Sequence, residues 1–139
     1  MQLTRGVINA ADAMRTGTAT YRHWQHCTSW LNVLRAVNDI GPVRNMQEYL
    51  QTIDAALGTI YTRASGGTAA VDEHPTYWHC PTLHSAELDA VRLLLELVNI
   101  ALDAMSLREY EAAYALATAR VRTEGGIVEE ATIAGGDHA

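Results

Sequence analysis

The stretch VRNMQEYLQTIDAALGTIYTRA, residues 43–64, decides the fold class. Val43, Met46, Leu50, Ile53, Leu57 and Ile60 recur at spacings of three and four, while Gln47, Gln51, Asp54 and Arg63 fall elsewhere on the wheel. That period belongs to an α-helix with one face in a core, because strand side chains alternate every second residue. The SGG at 65–67 stops the helix.

Working outward, the same punctuation recurs on both sides. Upstream, a short helix is expected over 3–15, broken by TGT at 16–18, with Gly17 as its stop and Thr18 as the next N-cap. A second helix follows over 19–39 and ends at DIGP, where Pro42 suits the first turn of the next helix. Downstream, a fourth helix spans about 83–104, capped by Thr82 or Ser85. Its stripe is Leu88, Val91, Leu95, Val98, Leu102 and Met105, broadened by Leu94, Leu97 and Ala101. A helix so apolar is expected at the centre of the bundle or against a second subunit. Ser106 and Glu109 form an S-x-x-E capping box, which opens a fifth helix over 106–124 with the stripe Leu107, Tyr110, Tyr114, Ala117 and Val121. The fold class is therefore all-α: a single-domain bundle of about five helices over residues 1–126, one long loop at 65–82, and a flexible acidic tail at 127–139.

The totals narrow the function classes. At 139 residues the chain can bury a sizeable core without disulfide support. No run approaches the roughly 18 apolar residues of a membrane span, since Glu96 interrupts the longest one. The N-terminal stretch lacks the apolar centre of a signal peptide, which points to the cytosol. Lysine is absent, so all ten basic residues are arginines, and they are scattered. A net charge of −6 with no basic run argues against nucleic-acid binding and favours a protein partner.

Two clusters carry potential chemistry. HWQHC at 23–27 places His23 and Cys27 one helical turn apart, and HPTYWHCPTLH at 74–84 adds His74, His79, Cys80 and His84. Structural zinc takes four nitrogen or sulfur ligands in a tetrahedron. His23 and Cys27 with Cys80 and either His79 or His84 could supply them, although the spacing matches no standard zinc pattern. The competing reading has Cys27 as a small buried hydrophobe and the histidines as loop and surface groups. A Cys–His nucleophile is disfavoured, because adjacent His79 and Cys80 point apart in an extended chain. The carboxylates Glu87, Asp89, Glu96, Asp103, Glu109 and Glu111 lack the E-x-x-H pairs of a di-iron bundle and read as solvated faces. No phosphate-binding loop or G-x-S-x-G elbow is present.

The aromatic residues give the other candidate site. The second helix carries Tyr21, Trp24 and Leu31 on one side and Cys27, Trp30, Leu34 and Val37 on another. One stripe serves the core. The other, with Tyr77 and Trp78 of the long loop, is a candidate partner-binding surface, since tyrosine and tryptophan dominate interface hot spots, and the competing reading buries both stripes in one bundle.

AMRTGTATYRHW at 13–24, WLNVLRAVNDIG at 30–41 and REYEAAYALATARV at 108–121 resemble small helical accessory proteins of temperate phages and prophages. The likeness covers about half of the chain and is a helix-packing pattern that carries no catalytic residue. It implies a phage-encoded, noncatalytic protein in the host cytosol that binds and inhibits or redirects a bacterial host protein, as anti-CRISPR and other anti-defence inhibitors do. A homodimer formed through the fourth helix is compatible with it. The alternative is a small zinc protein, structural or hydrolytic, built on the His/Cys clusters.

Overall fold

The computed structural model describes residues 2–67 and 75–129. Among the described residues it is an all-α bundle of α1 (Gln2–Thr16), α2 (Tyr21–Ile40), α3 (Gln47–Ala64), α4 (Ser85–Ala104) and α5 (Leu107–Glu124), with no strand. None of these helices is long and apolar enough to cross a membrane.

The apolar α4 packs against three helices, α1, α2 and α3, as its leucine content leads one to expect, and the element with the most neighbours is α2. It packs on α1, α3, α4 and α5, while α4 completes the ring by also meeting α1 and α3. The reason lies in the two stripes of α2. Tyr21, Trp24, Cys27, Trp30, Leu31, Val33, Leu34, Ala36 and Val37 are all buried, so its apolar groups face inward around most of its circumference. Neither stripe remains for an outside partner.

Helix ends follow local hydrogen-bond accounting. Gly17 adopts a left-handed φ of 76° and closes α1: its N–H donates to the Met14 carbonyl at 3.3 Å, and the Thr18 N–H donates to the Ala13 carbonyl at 2.9 Å. The N-cap of α2 is Thr20 rather than Thr18. His23, three residues on, completes the box by accepting the Thr20 N–H on Nδ1 at 2.9 Å. Pro42 does not enter α3. Asn45 takes a left-handed φ of 64°, and the Asn38 side chain accepts the Met46 N–H at 2.9 Å, so α3 starts at Gln47. The N-cap of α4 is His84 rather than Thr82 or Ser85. The Ser106–Glu109 box holds as its spacing requires, with Glu109 N–H donating to Ser106 Oγ at 3.1 Å and Ser106 N–H to Glu109 Oε1 at 2.8 Å.

The faces are turned by varying amounts. On α3, Leu50, Ile53, Leu57 and Ile60 are buried, each contributing about 2 kcal/mol of apolar transfer free energy. On α4 the buried line is Glu87, Ala90, Val91, Leu94, Leu97, Val98 and Ala101, leaving Leu88, Leu95, Leu102 and Met105 half-buried at its margin. On α5, Leu107 is 68% exposed, and Tyr110, Ala113 and Ala117 make the contact.

After α5 the chain doubles back. Residues 127–129, expected as the start of a flexible tail, lie as a strap over α2 and α5. Ile127 and Val128 pack against the core. Asn32 Nδ2 donates to the Ile127 carbonyl at 2.8 Å, the Glu129 N–H donates to Ser29 Oγ at 2.9 Å, and Tyr114 Oη donates to the Glu129 carbonyl at 3.0 Å. Residues 130–139 of that tail lie outside the described residues.

Candidate functional site

The aromatic residues converge on one place. Tyr21 and Trp24 of α2, Tyr61 of α3 and Trp78 of the loop before α4 form a four-ring cluster in which every pair of centroids is 4.7 to 6.4 Å apart. Tyr21 stacks on Trp24 at 16°, whereas Trp24 tilts against Tyr61 at 45°. Both indole N–H groups find carbonyls: Trp24 Nε1 donates to Leu57 and Trp78 Nε1 to Ala19, each at 2.9 Å. Tyr61 lies beside the α3 stripe rather than in it, and sequence reading missed it. Its only signal is that it widens the apolar face next to Ile60.

Burial changes the expected contact surface. Trp24 is 1% exposed and Tyr21 7%, so neither can touch a partner, and Trp78 is half-buried against Tyr21, Trp24 and Tyr61. Of the four residues read as partner-binding, Tyr77 alone faces outward, at 55% exposure. The correction has a simple cause. Helical spacing shows which residues share a face but not which element covers it.

The segment bearing Tyr77 is held at both ends. Pro75 is buried. The His79 N–H donates to the Ala64 carbonyl at 2.9 Å, satisfying an acceptor in the last turn of α3. Arg63 reaches the Thr82 carbonyl with one guanidinium nitrogen and the Glu87 carboxylate with another. Glu87 was expected on a solvated face but is 5% exposed. It also accepts from Thr59 Oγ1 at 2.9 Å and from the His84 N–H at 2.8 Å. Burial alone would raise its pKa. The hydrogen bonds from Arg63, His84 and Thr59, with the Arg63 charge, outweigh that and hold it below the ordinary carboxylate value. Asp89, Glu96, Asp103, Glu109 and Glu111 are exposed.

The zinc candidates are dispersed in role. His23 is engaged at the α2 cap through Nδ1. Cys27 is fully buried, and burial, reinforced by the Glu129 charge, pushes its thiol up to about 12. His79 and His84 are exposed, and Cys80 is half-buried with Sγ at 3.5 Å from the Pro81 carbonyl. His74 lies outside the described residues. Both thiols are free, and among the described residues no three His, Cys, Asp or Glu side chains stand where they could hold one metal ion. A thiolate is the attacking form of cysteine, so the buried Cys27 thiol, with its raised pKa, is poorly suited to act as a nucleophile.

No protein-family model, curated protein or solved structure matches the chain.

Proposed function

We propose that the protein is a noncatalytic helical binding protein that grips a partner protein through the pinned loop at 75–84. One observation supports this above the others: Tyr77 stands more than half exposed on a segment whose neighbours Trp78, His79 and Thr82 are bonded to two separate parts of the bundle, Trp78 to Ala19 in the α1–α2 turn and the other two to the last turn of α3. A tyrosine held this way loses little conformational entropy when it docks, and rigid aromatic anchors concentrate binding energy. Exposed His79 and His84 flank it with polar groups. The likeness of Ala13–Trp24 and the α5 sequence to phage accessory proteins supplies the context. The partner is a bacterial host protein, which binding inhibits or redirects in the manner of an anti-defence inhibitor.

The test is capture followed by reconstitution. Immobilised protein should retain one stoichiometric partner from a bacterial lysate, and the purified partner should bind the purified chain. Tyr77→Ala should weaken that complex about tenfold or more with helicity unchanged. An interaction indifferent to Tyr77→Ala and His79→Ala together would remove the loop from the account.

A further inference from the structure

His26, Ser29, Asn32 and Arg35 recur every third residue of α2, so their side chains stand in a row along one ridge. The strap runs past this row against the direction of α2, and the row reads its main chain. Asn32 Nδ2 donates to the Ile127 carbonyl, Ser29 Oγ accepts the Glu129 N–H, and Tyr114 Oη of α5 donates to the Glu129 carbonyl. Arg35 orients the first of these groups. Its guanidinium donates to Asn32 Oδ1 at 3.1 Å, which leaves the amide nitrogen aimed at the strap. Ser29 is fully buried, so its hydroxyl is built into the groove. A fourth contact reads a strap side chain: His26 Nδ1–H donates to Glu129 Oε1 at 3.0 Å, with both side chains mostly buried. Helix α1 fixes the ring in that pose, for a Cβ on Gly6 would lie 2.5 Å from His26 Nε2. Nε2 is buried and has no partner among the described residues, so the hydrogen bonding of the imidazole is directed at the carboxylate.

We infer that the α2–α5 groove is a peptide-binding site, filled in the closed molecule by the chain's own strap, whose ligand in trans is a peptide segment with two aliphatic residues followed by an acidic one. The strap itself identifies that chemistry. Three of its bonds go through main-chain groups that every peptide carries, Ile127 and Val128 supply the apolar cover, and His26 selects a carboxylate at the third position. The strap is also joined in a way that lets it leave. Gly125 and Gly126, at φ 83° and 112°, form the joint with α5, so the segment swings without disturbing the helix. At the Gly125 end, Arg35, Arg120 and Glu124 line an open cavity of about 480 Å³, which gives an incoming chain room to enter. So few contacts favour the closed form by a ratio on the order of ten, and a ligand in trans loses at most about thirtyfold in apparent affinity to the strap. This groove and the Tyr77 loop lie on different elements, and neither reading depends on the other.

The probe is the strap's own sequence, GGIVE of residues 125–129, as a fluorescein-labelled peptide amide titrated with the full chain and read by fluorescence anisotropy. It should bind saturably. Val128→Ser in the protein loosens the strap and should tighten peptide binding about fivefold or more. Adding Asn32→Ala to that variant should weaken binding again by about fivefold, and a peptide ending in glutamine should bind the variant about tenfold more weakly than one ending in glutamate. Glu129→Ala, which removes the carboxylate from His26, takes the place of Val128→Ser if that variant loses helicity by circular dichroism. No binding to a loosened variant at about 1 mM would overturn the inference and make the strap a fixed part of the fold. Binding no tighter to the loosened variants than to the parent would overturn it as well, as would equal binding of the glutamine peptide.

Discussion

Cys27 and Cys80 have the same side chain and different burial. Cys27 is sealed between helices and its thiol is pushed up to about 12, whereas Cys80 is half-buried in the loop. Ellman's reagent at neutral pH should therefore titrate one thiol in the folded protein and two in denaturant, and Cys80→Ser should abolish the first reaction alone. Glu87 makes a second residue-scale prediction. Its folded pKa lies below its ordinary value of 4.5, so its contribution to stability is complete above that value. The contribution is lost as pH falls through the lowered one. Glu87→Gln should cost about 2 kcal/mol at neutral pH, discounted because Arg63 is 31% exposed. The gap between variant and parent in urea midpoints should narrow below about pH 4. Glu87 was illegible from sequence because its role depends on Arg63 and Thr59 of another helix. Its place at N3 of α4 was within reach, had the cap been read at His84.

Among the helices, legibility tracked how much of each wheel is apolar. The narrow stripe of α3 left one orientation, and Leu50, Ile53, Leu57 and Ile60 are buried accordingly. On α4, leucine and valine cover too much of the circumference for periodicity to locate the centre, and the true core line is rotated toward Leu94 and Leu97. On α2 both stripes are apolar, and only the packing of four neighbours shows that both are covered. Local signals fared better where they are complete within a few residues, as at Gly17 and in the Ser106–Glu109 box. The aromatic site failed the same way as α4: positions 21, 24, 61 and 78 meet only in three dimensions, and nothing in their spacing foretells it. The joint they make between α2, α3 and the loop yields an element-scale prediction. Trp24→Ala should destabilise the protein by about 3–5 kcal/mol, read in urea unfolding followed by circular dichroism. It should also free the loop, detected as faster hydrogen exchange at His79, whose N–H is tied to Ala64.

At the scale of the whole molecule, four helices are arranged about α2, and the strap at 127–129 closes the α2–α5 side. Ending the chain after Gly126 removes the apolar cover of Ile127 and Val128, the bond to Asn32 and the two bonds at Glu129. The expected loss is about 1–2 kcal/mol, a fall of roughly 5 °C in Tm by calorimetry. A variant melting with the parent would show that the strap merely rests on the surface. The strap also sets an order of events during translation. Asn32 and Ser29 emerge from the ribosome early, yet their partners stand 95 and 100 positions later in the chain. These two contacts of the hub helix form only when nearly all of the described polypeptide has been made. Synthesis stalled short of Glu129 would leave the α2–α5 side without the cover of Ile127 and Val128 and without the bonds that reach Asn32, Ser29 and Tyr114.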